Sequence, residues 1–174
     1  MSIITIVGAG MMGSAMSFPA RANGHEVRLV GTPLDRGIIE HVKETGFHIT
    51  LKRQLPEGIR FCQFEELEDA LEGADLLIGG VSSMGVDWFM DSVIPRIPAA
   101  LPVLSVTKGM VNTREGEFIS FPELYARSFP DSGIRFNAIG GPCTSYELAD
   151  RDQTQVCFCG PDMALLRRLK AMLN

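Results

Sequence analysis

Short apolar runs and stretches of helical spacing alternate along this 174-residue chain from one end to the other. Residues 2–7, 26–30, 59–62, 75–81, 102–106, 134–139 and 155–159 are rich in Val, Ile, Leu and Phe, which predicts strands. The run Leu76-Leu77-Ile78 is apolar without alternation, the pattern of a parallel strand covered on both faces. Between these runs, residues 14–22, 37–45, 64–71, 85–94, 117–129 and 162–173 read as helices. Pro19 should kink or shorten the first of them, Asn23-Gly24 ends it, Gly46 and Gly73 close the next two, and Pro95 breaks the fourth. Residues 47–57 are mixed and read as a loop or short strands. The expected fold class is therefore α/β, a doubly wound, mainly parallel sheet with helices on both faces. No repeat, low-complexity tract or flexible linker interrupts it, and residues 1–174 are taken as one domain.

The most informative stretch follows the first strand. Gly8-Ala9-Gly10-Met11-Met12-Gly13 is a G-x-G-x-x-G that leads straight into a helix start at Ser14. Gly8 permits the tight turn, Gly10 lets a pyrophosphate approach the backbone, and Gly13 lets the helix pack closely on the strand. The free N–H groups and positive dipole end of that helix favour an anion. Glycine-rich turns are common, but this one has a strand before it, a helix after it and a second strand where a βαβ unit needs one. That context makes the fold Rossmann-like and the cofactor NAD or NADP. After the second strand comes Gly31-Thr32-Pro33-Leu34-Asp35-Arg36, with no acid at the strand tip to hold adenosine ribose hydroxyls. Asp35 is assigned to the first turn of the next helix, where an acid suits the dipole. Arg28 or Arg36 could meet a 2′-phosphate, and each is equally suited to a solvated surface.

Composition narrows the partners. Net charge is −5, from 16 basic and 21 acidic residues, with no block of like charge, so neither nucleic acid nor an anionic membrane is expected and a small molecule is. No apolar stretch approaches a membrane span, residues 1–13 lack the basic start of a secretion signal, and a cytoplasmic location is the expectation. Cys62, Cys143, Cys157 and Cys159 include a C-x-C but no C-x-x-C, and they are read as small buried hydrophobes rather than a metal or disulfide set. His48 alone is read as a surface or hydrogen-bonded histidine rather than a ligand or base. Trp88 and Phe89 are read as packing groups.

Ligands of open α/β sheets bind at the carboxyl ends of the strands. There the chain places the glycine turn, Ser82-Ser83, Thr107-Lys108-Gly109 and Gly141-Pro142-Cys143. Lys108, delivered by an apolar strand, is a compact cation suited to a phosphate or to polarising a carbonyl.

The run GAGMMGSA, the strand-end Thr107-Lys108-Gly109, the stretch from His48 through Leu55-Pro56-Glu57-Gly58-Ile59, and a GP-x-x-x-x-E-x-A from Gly141 to Ala149 occur in one order. In this the chain resembles the NAD(P)-dependent glycerol-3-phosphate dehydrogenases over nearly all its length. The resemblance implies hydride transfer between NAD(P)H and dihydroxyacetone phosphate, a small phosphorylated substrate. It implies that Met11 and Met12 line the cofactor with Gly8, Ala9, Gly10, Gly13 and Ser82, that Thr32 lies by the adenosine ribose, and that Ser145 touches the cofactor. Lys108 would be the catalytic residue, contacting cofactor and substrate alike, while Gly141 and Cys143 would contact substrate. Cys143 stands where the family more often has Ser or Thr, Ser145 where it has Ala, Tyr146 where it has a basic residue, and Val81-Ser82-Ser83 where it has V-P-S. The family also carries a helical second domain with a proton-transferring lysine and a phosphate clamp. That domain is expected to lie outside these 174 residues, so they alone should bind cofactor with little or no turnover, and a homodimer is expected only with that part. Two other expectations are a related reductase acting on another small keto acid, and a dinucleotide-binding module without catalysis.

Overall fold

The computed structural model describes every residue from Met1 to Asn174. In chain order the elements are β1 (Ile3–Val7), α1 (Met11–Ala15), α2 (Ser17–Ala22), β2 (Glu26–Val30), α3 (Arg36–Thr45), β3 (Phe47–His48), β4 (Arg53–Gln54), β5 (Ile59–Cys62) and α4 (Leu67–Leu71). They continue with β6 (Leu76–Gly79), α5 (Val86–Ser92), β7 (Pro102–Ser105), β8 (Met110–Asn112), β9 (Phe118–Ser120), α6 (Phe121–Ser128), β10 (Arg135–Gly140), α7 (Ser145–Asp150), β11 (Cys157–Cys159) and α8 (Met163–Leu173).

The main sheet runs β11-β10-β7-β6-β1-β2-β5 and is parallel except for the edge pair β10–β11. Strand order reverses between β1 and β6, where such sheets leave a crevice at the carboxyl ends. Register brings the ends level: Val7 lies opposite Val30 and Gly79, and Gly79 lies opposite Ser105. The segments that follow β1, β2, β6 and β7 therefore emerge at one edge. Alternation along the strands divides the core in two, Ile4, Ile6, Leu29, Ile78 and Leu104 facing one helical layer and Val7, Val30, Leu77 and Val103 the other. No helix is long and apolar enough to cross a membrane.

Several elements differ from the sequence pattern. The first helix begins at Met11, so Gly13 lies inside it, and it is divided at Met16, just ahead of Pro19. Residues 117–129 are not one helix: Phe118–Ser120 pairs with Met110–Asn112 as a hairpin, and α6 starts at Phe121. Pro122 falls in the first turn of α6, where a missing N–H costs nothing, and the Ser120 hydroxyl caps it by accepting from Glu123 N–H. Residues 145–150 form a helix that the apolar pattern did not announce, though Thr144-Ser145-Tyr146-Glu147 is a capping box and marks its start. Cys62 and Cys143 are buried as expected, but Cys157 and Cys159 are exposed, because β11 is an edge strand that turns Phe158 inward instead.

Arg28 is sequestered beneath the sheet. It pairs with Glu26 at 2.8 Å and donates to the carbonyls of Asp69, Ala70 and Glu72 at the end of α4, so it is not placed to meet a 2′-phosphate. A cation there satisfies carbonyls that a helix end leaves unpaired.

Tyr125 packs between Phe89 and Phe136 with its hydroxyl buried near Ser105 but without a well-formed hydrogen bond. Burial pushes its pKa up to about 12. Above its ordinary pKa of about 10 the unfolded chain loses this proton while the folded one keeps it, so stability falls as pH rises toward about 12, by about 1.4 kcal/mol per pH unit. Tyr125→Phe should remove that part of the decline, which urea unfolding of both proteins at about pH 9 and about pH 11.5 will show.

Candidate functional site

Three glycines make the crevice possible. Gly8 has φ +110°, and a Cβ there would lie 2.8 Å from the carbonyl carbon and oxygen of Gly80. On Gly13 it would lie 2.1 Å from the oxygen of Gly8, and on Gly80 it would lie 2.8 Å from the Cα of Gly13. The turn after β1, the start of α1 and the end of β6 thus touch backbone to backbone. Gly10 differs from them: φ −72° and ψ 178° suit any residue, and a Cβ there would meet nothing within 4 Å. The open space above Gly10 and the unpaired N–H groups of the first turn of α1 form a cradle for an anion such as a pyrophosphate.

Behind the turn, Ala9 is fully buried with both backbone polar groups taken. Its N–H donates to Asp35 Oδ2 at 3.0 Å, and its carbonyl lies 2.8 Å from His48 Nε2. Asp35 Oδ2 also accepts from Thr32 N–H at 2.9 Å and Thr32 Oγ1 at 2.8 Å. The Asp35 side chain therefore leaves its own helix uncapped and ties the end of β2 to the glycine turn.

Two clefts meet over this turn. One, of about 490 Å³, is lined by Gly8, Gly10, Thr32, Pro33, Leu34, Asp35, Gly80, Val81, Ser82, Met84, Gly85 and Trp88. The other, of about 370 Å³, is lined by Gly10, Met11, Met12, Gly80, Val81, Ser82, Ser83, Val106, Thr107 and Lys108. They share Gly10, Gly80, Val81 and Ser82, so together they form one groove across the point where strand order reverses. Trp88 packs on Phe64, ring centroids 5.0 Å apart, and also lines the groove, whereas Phe89 is wholly buried against Gly79. Arg36 is exposed near the Thr32 end and pairs with Glu65.

At the other end Lys108 Nζ donates to the carbonyls of Gly141 at 2.6 Å and Cys143 at 2.8 Å. Two of its three N–H groups are thereby fixed and one is left for a ligand. The Lys108 side chain borders a second cleft, of about 710 Å³, which Gly141 also lines. The side chain of Cys143 is buried and lines none of these clefts, and its carbonyl makes the contact with Lys108. Ser145 opens α7, half-buried and outside the groove lining. The Glu147 carboxyl is held below its ordinary value by the Thr144 N–H first, then by the Thr144 hydroxyl, with the charge of Lys108 adding to both. Arg53 Nε and a terminal nitrogen donate to the two oxygens of Asp150, both at 2.6 Å, and join the β3–β4 hairpin to α7.

Of the residues predicted from sequence, Gly8, Gly10, Met11, Met12, Thr32, Ser82 and Lys108 come together on the groove. Gly80 and Asp35 line it as well, and His48 lies buried behind it against the Ala9 carbonyl; none of the three is assigned to it from sequence. The Gly79-Gly80 pair at a strand end was a signal of close approach. Nothing near His48 in sequence marks its role.

The fold and the groove define a doubly wound dinucleotide-binding domain. Comparison with known proteins gives the particular family. The model of the NAD-dependent glycerol-3-phosphate dehydrogenase N-terminus matches residues 3–166, and the chain belongs to that family. It is 34% identical over 172 residues to an NADP(+)-dependent glycerol-3-phosphate dehydrogenase of Archaeoglobus fulgidus, covering 99% of this chain and 50% of that protein. It is 26% identical over 165 residues to a glycerol-3-phosphate dehydrogenase [NAD(P)+] of Shouchella clausii, covering 93% and 47%. Among solved structures, glycerol-3-phosphate dehydrogenase of Coxiella burnetii superposes with a TM-score of 0.82 at 22% identity, over 99% of this chain and 51% of that one, a likeness of fold. The chain spans about half the length of these relatives.

The glycines separate structural from ligand-facing roles. Gly13→Ala should destabilise the fold by about 3 kcal/mol, because its Cβ meets backbone that cannot yield. Gly10→Ala should change stability by less than about 0.5 kcal/mol and act on dinucleotide affinity instead. Urea unfolding and an NADH titration of both variants will distinguish the two effects.

Proposed function

We propose that these 174 residues form the NAD(P)-binding domain of an oxidoreductase that interconverts dihydroxyacetone phosphate and sn-glycerol 3-phosphate, its substrate domain lying in the half of the relatives' length that this chain does not match. The observation that carries this is the single groove across the strand-order reversal, with the glycine cradle at its middle and Lys108 at one end. Gly8, Gly10, Met11, Met12 and Gly13 receive the pyrophosphate, with Ala9 held behind them. Thr32 takes the adenosine ribose and Ser82 the middle of the cofactor; Ser145, at the start of α7 and outside the groove lining, is assigned to the cofactor on the family pattern alone.

The bound nicotinamide supplies or accepts the hydride. The chain's own part is orientation and charge. Lys108 is the catalytic residue, its ammonium aimed by the Gly141 and Cys143 carbonyls so that its remaining N–H meets the substrate oxygen. Gly141 and Cys143 thereby border the substrate through backbone groups, and the buried thiol of Cys143 fills space.

A nicotinamide-fluorescence titration of the chain with NADPH and NADH tests the cofactor assignment, with saturable binding expected for at least one. No binding of either at millimolar concentration would sink it. Arg36→Ala should weaken NADPH by about tenfold and leave NADH unchanged, because only the 2′-phosphate reaches that arginine. In the full-length enzyme, Lys108→Ala should lower kcat/KM for dihydroxyacetone phosphate by about 10²–10³-fold.

A further inference from the structure

We infer that His48 is a positioning residue of the dinucleotide site, acting on the cofactor through one peptide plane; this rests on the dinucleotide reading of the groove. His48 is wholly buried, 39 residues from the turn it contacts. Its Nδ1 accepts from Leu51 N–H at 3.0 Å. A ring nitrogen that accepts carries no proton, so the neutral ring bears its proton on Nε2 and donates it to the Ala9 carbonyl at 2.8 Å.

That carbonyl belongs to the same peptide unit as the N–H of Gly10. The unit is planar and trans, so its C=O and N–H point in opposite directions. Holding the carbonyl toward His48 turns the Gly10 N–H away from the protein interior, toward the groove that Gly10 lines. The Gly10 N–H has no acceptor within the chain. The preceding peptide is pinned as well, because Ala9 N–H donates to Asp35 Oδ2. A bond to the carbonyl also polarises the amide and strengthens its N–H as a donor. His48 thereby aims an amide at the diphosphate without touching it.

The ring is itself braced. His48 lies on a strap, residues 46–55, whose Leu51 and Leu55 are buried in the core and whose Arg53 is tied to Asp150 of α7. Neither solvent nor a rotamer change can easily move the imidazole.

The test uses the 174-residue chain with NADH, NADPH and ADP as probes, and two substitutions that divide the imidazole between them. His48→Gln carries an amide nitrogen at about the reach of Nε2 and keeps a donor for Ala9. His48→Asn is shorter, keeps an acceptor for Leu51 and cannot reach Ala9. His48→Asn should weaken all three probes about tenfold, measured where circular dichroism shows it folded, and should suppress the shift of the Gly10 amide proton on adding ADP. His48→Gln should stay within about threefold of the parent and retain that shift. Equal affinity and an equal Gly10 shift in His48→Asn would overturn the inference, as would a loss in His48→Gln as large as in His48→Asn. Nitrogen NMR of the parent chain decides the matter even if a variant fails to fold: a proton on Nε2 supports the assignment and a proton on Nδ1 refutes it. A parent chain that binds no probe refutes the dinucleotide reading and this inference with it. Tight binding by parent and His48→Asn alike refutes the inference alone.

Discussion

Everything at the carboxyl edge of the sheet depends on a contact between backbones. The turn after β1, the first helical turn and the end of β6 approach so closely that no side chain fits at Gly8, Gly13 or Gly80. Close approach brings the helix start onto the line where strand order reverses, the one place where this topology leaves a crevice. Were the helix displaced by the width of a methyl group, its free N–H groups would no longer converge with the groove. The apolar strands supply the stability, and the glycines convert it into position.

A second layer holds that turn in orientation. Asp35 binds the Ala9 N–H and the end of β2, while His48 binds the Ala9 carbonyl from a strap between α3 and β5. His48 is buried and Asp35 half-buried, and where solvent is scarce an unpaired donor or acceptor is costly and a paired one is correspondingly rigid. Lys108 receives comparable support from the carbonyls of Gly141 and Cys143, whose segment is itself fixed by the capping box at the start of α7. The glycine turn and Lys108 are thus each held by partners distant in sequence.

The strand runs, the glycine turn and the carboxyl-edge residues Ser82 and Lys108 could be read in the chain because each signal is local. Leu76 to Gly79 is apolar on both faces and so is covered on both faces. Local signals also existed, unused, for α7 in Thr144-x-x-Glu147 and for α6 in Ser120 with Pro122 in its first turn. The hairpin of β8 and β9 gave little warning, since three-residue strands with exposed Met110 and Phe118 show no clear alternation. Arg28 illustrates the opposite difficulty. Its charge suggested solvent or a phosphate, and only the carbonyl ends of α4, more than forty residues on, give it a buried partner.

Fold class, parallel sheet and glycine turn follow from the order of residues along the chain, because periodicity and backbone freedom are properties of neighbouring residues. The three-dimensional arrangement settles which residues orient the turn, that Arg28 is buried while Arg36 stays exposed in a pair with Glu65, and what aims Lys108. Those outcomes depend on hydrogen bonds between residues some 30 to 40 positions apart, such as His48 with Ala9 and Lys108 with Cys143. Which donor reaches which acceptor across such a distance is set by strand register and helix docking, and neither is written in the local pattern of the chain.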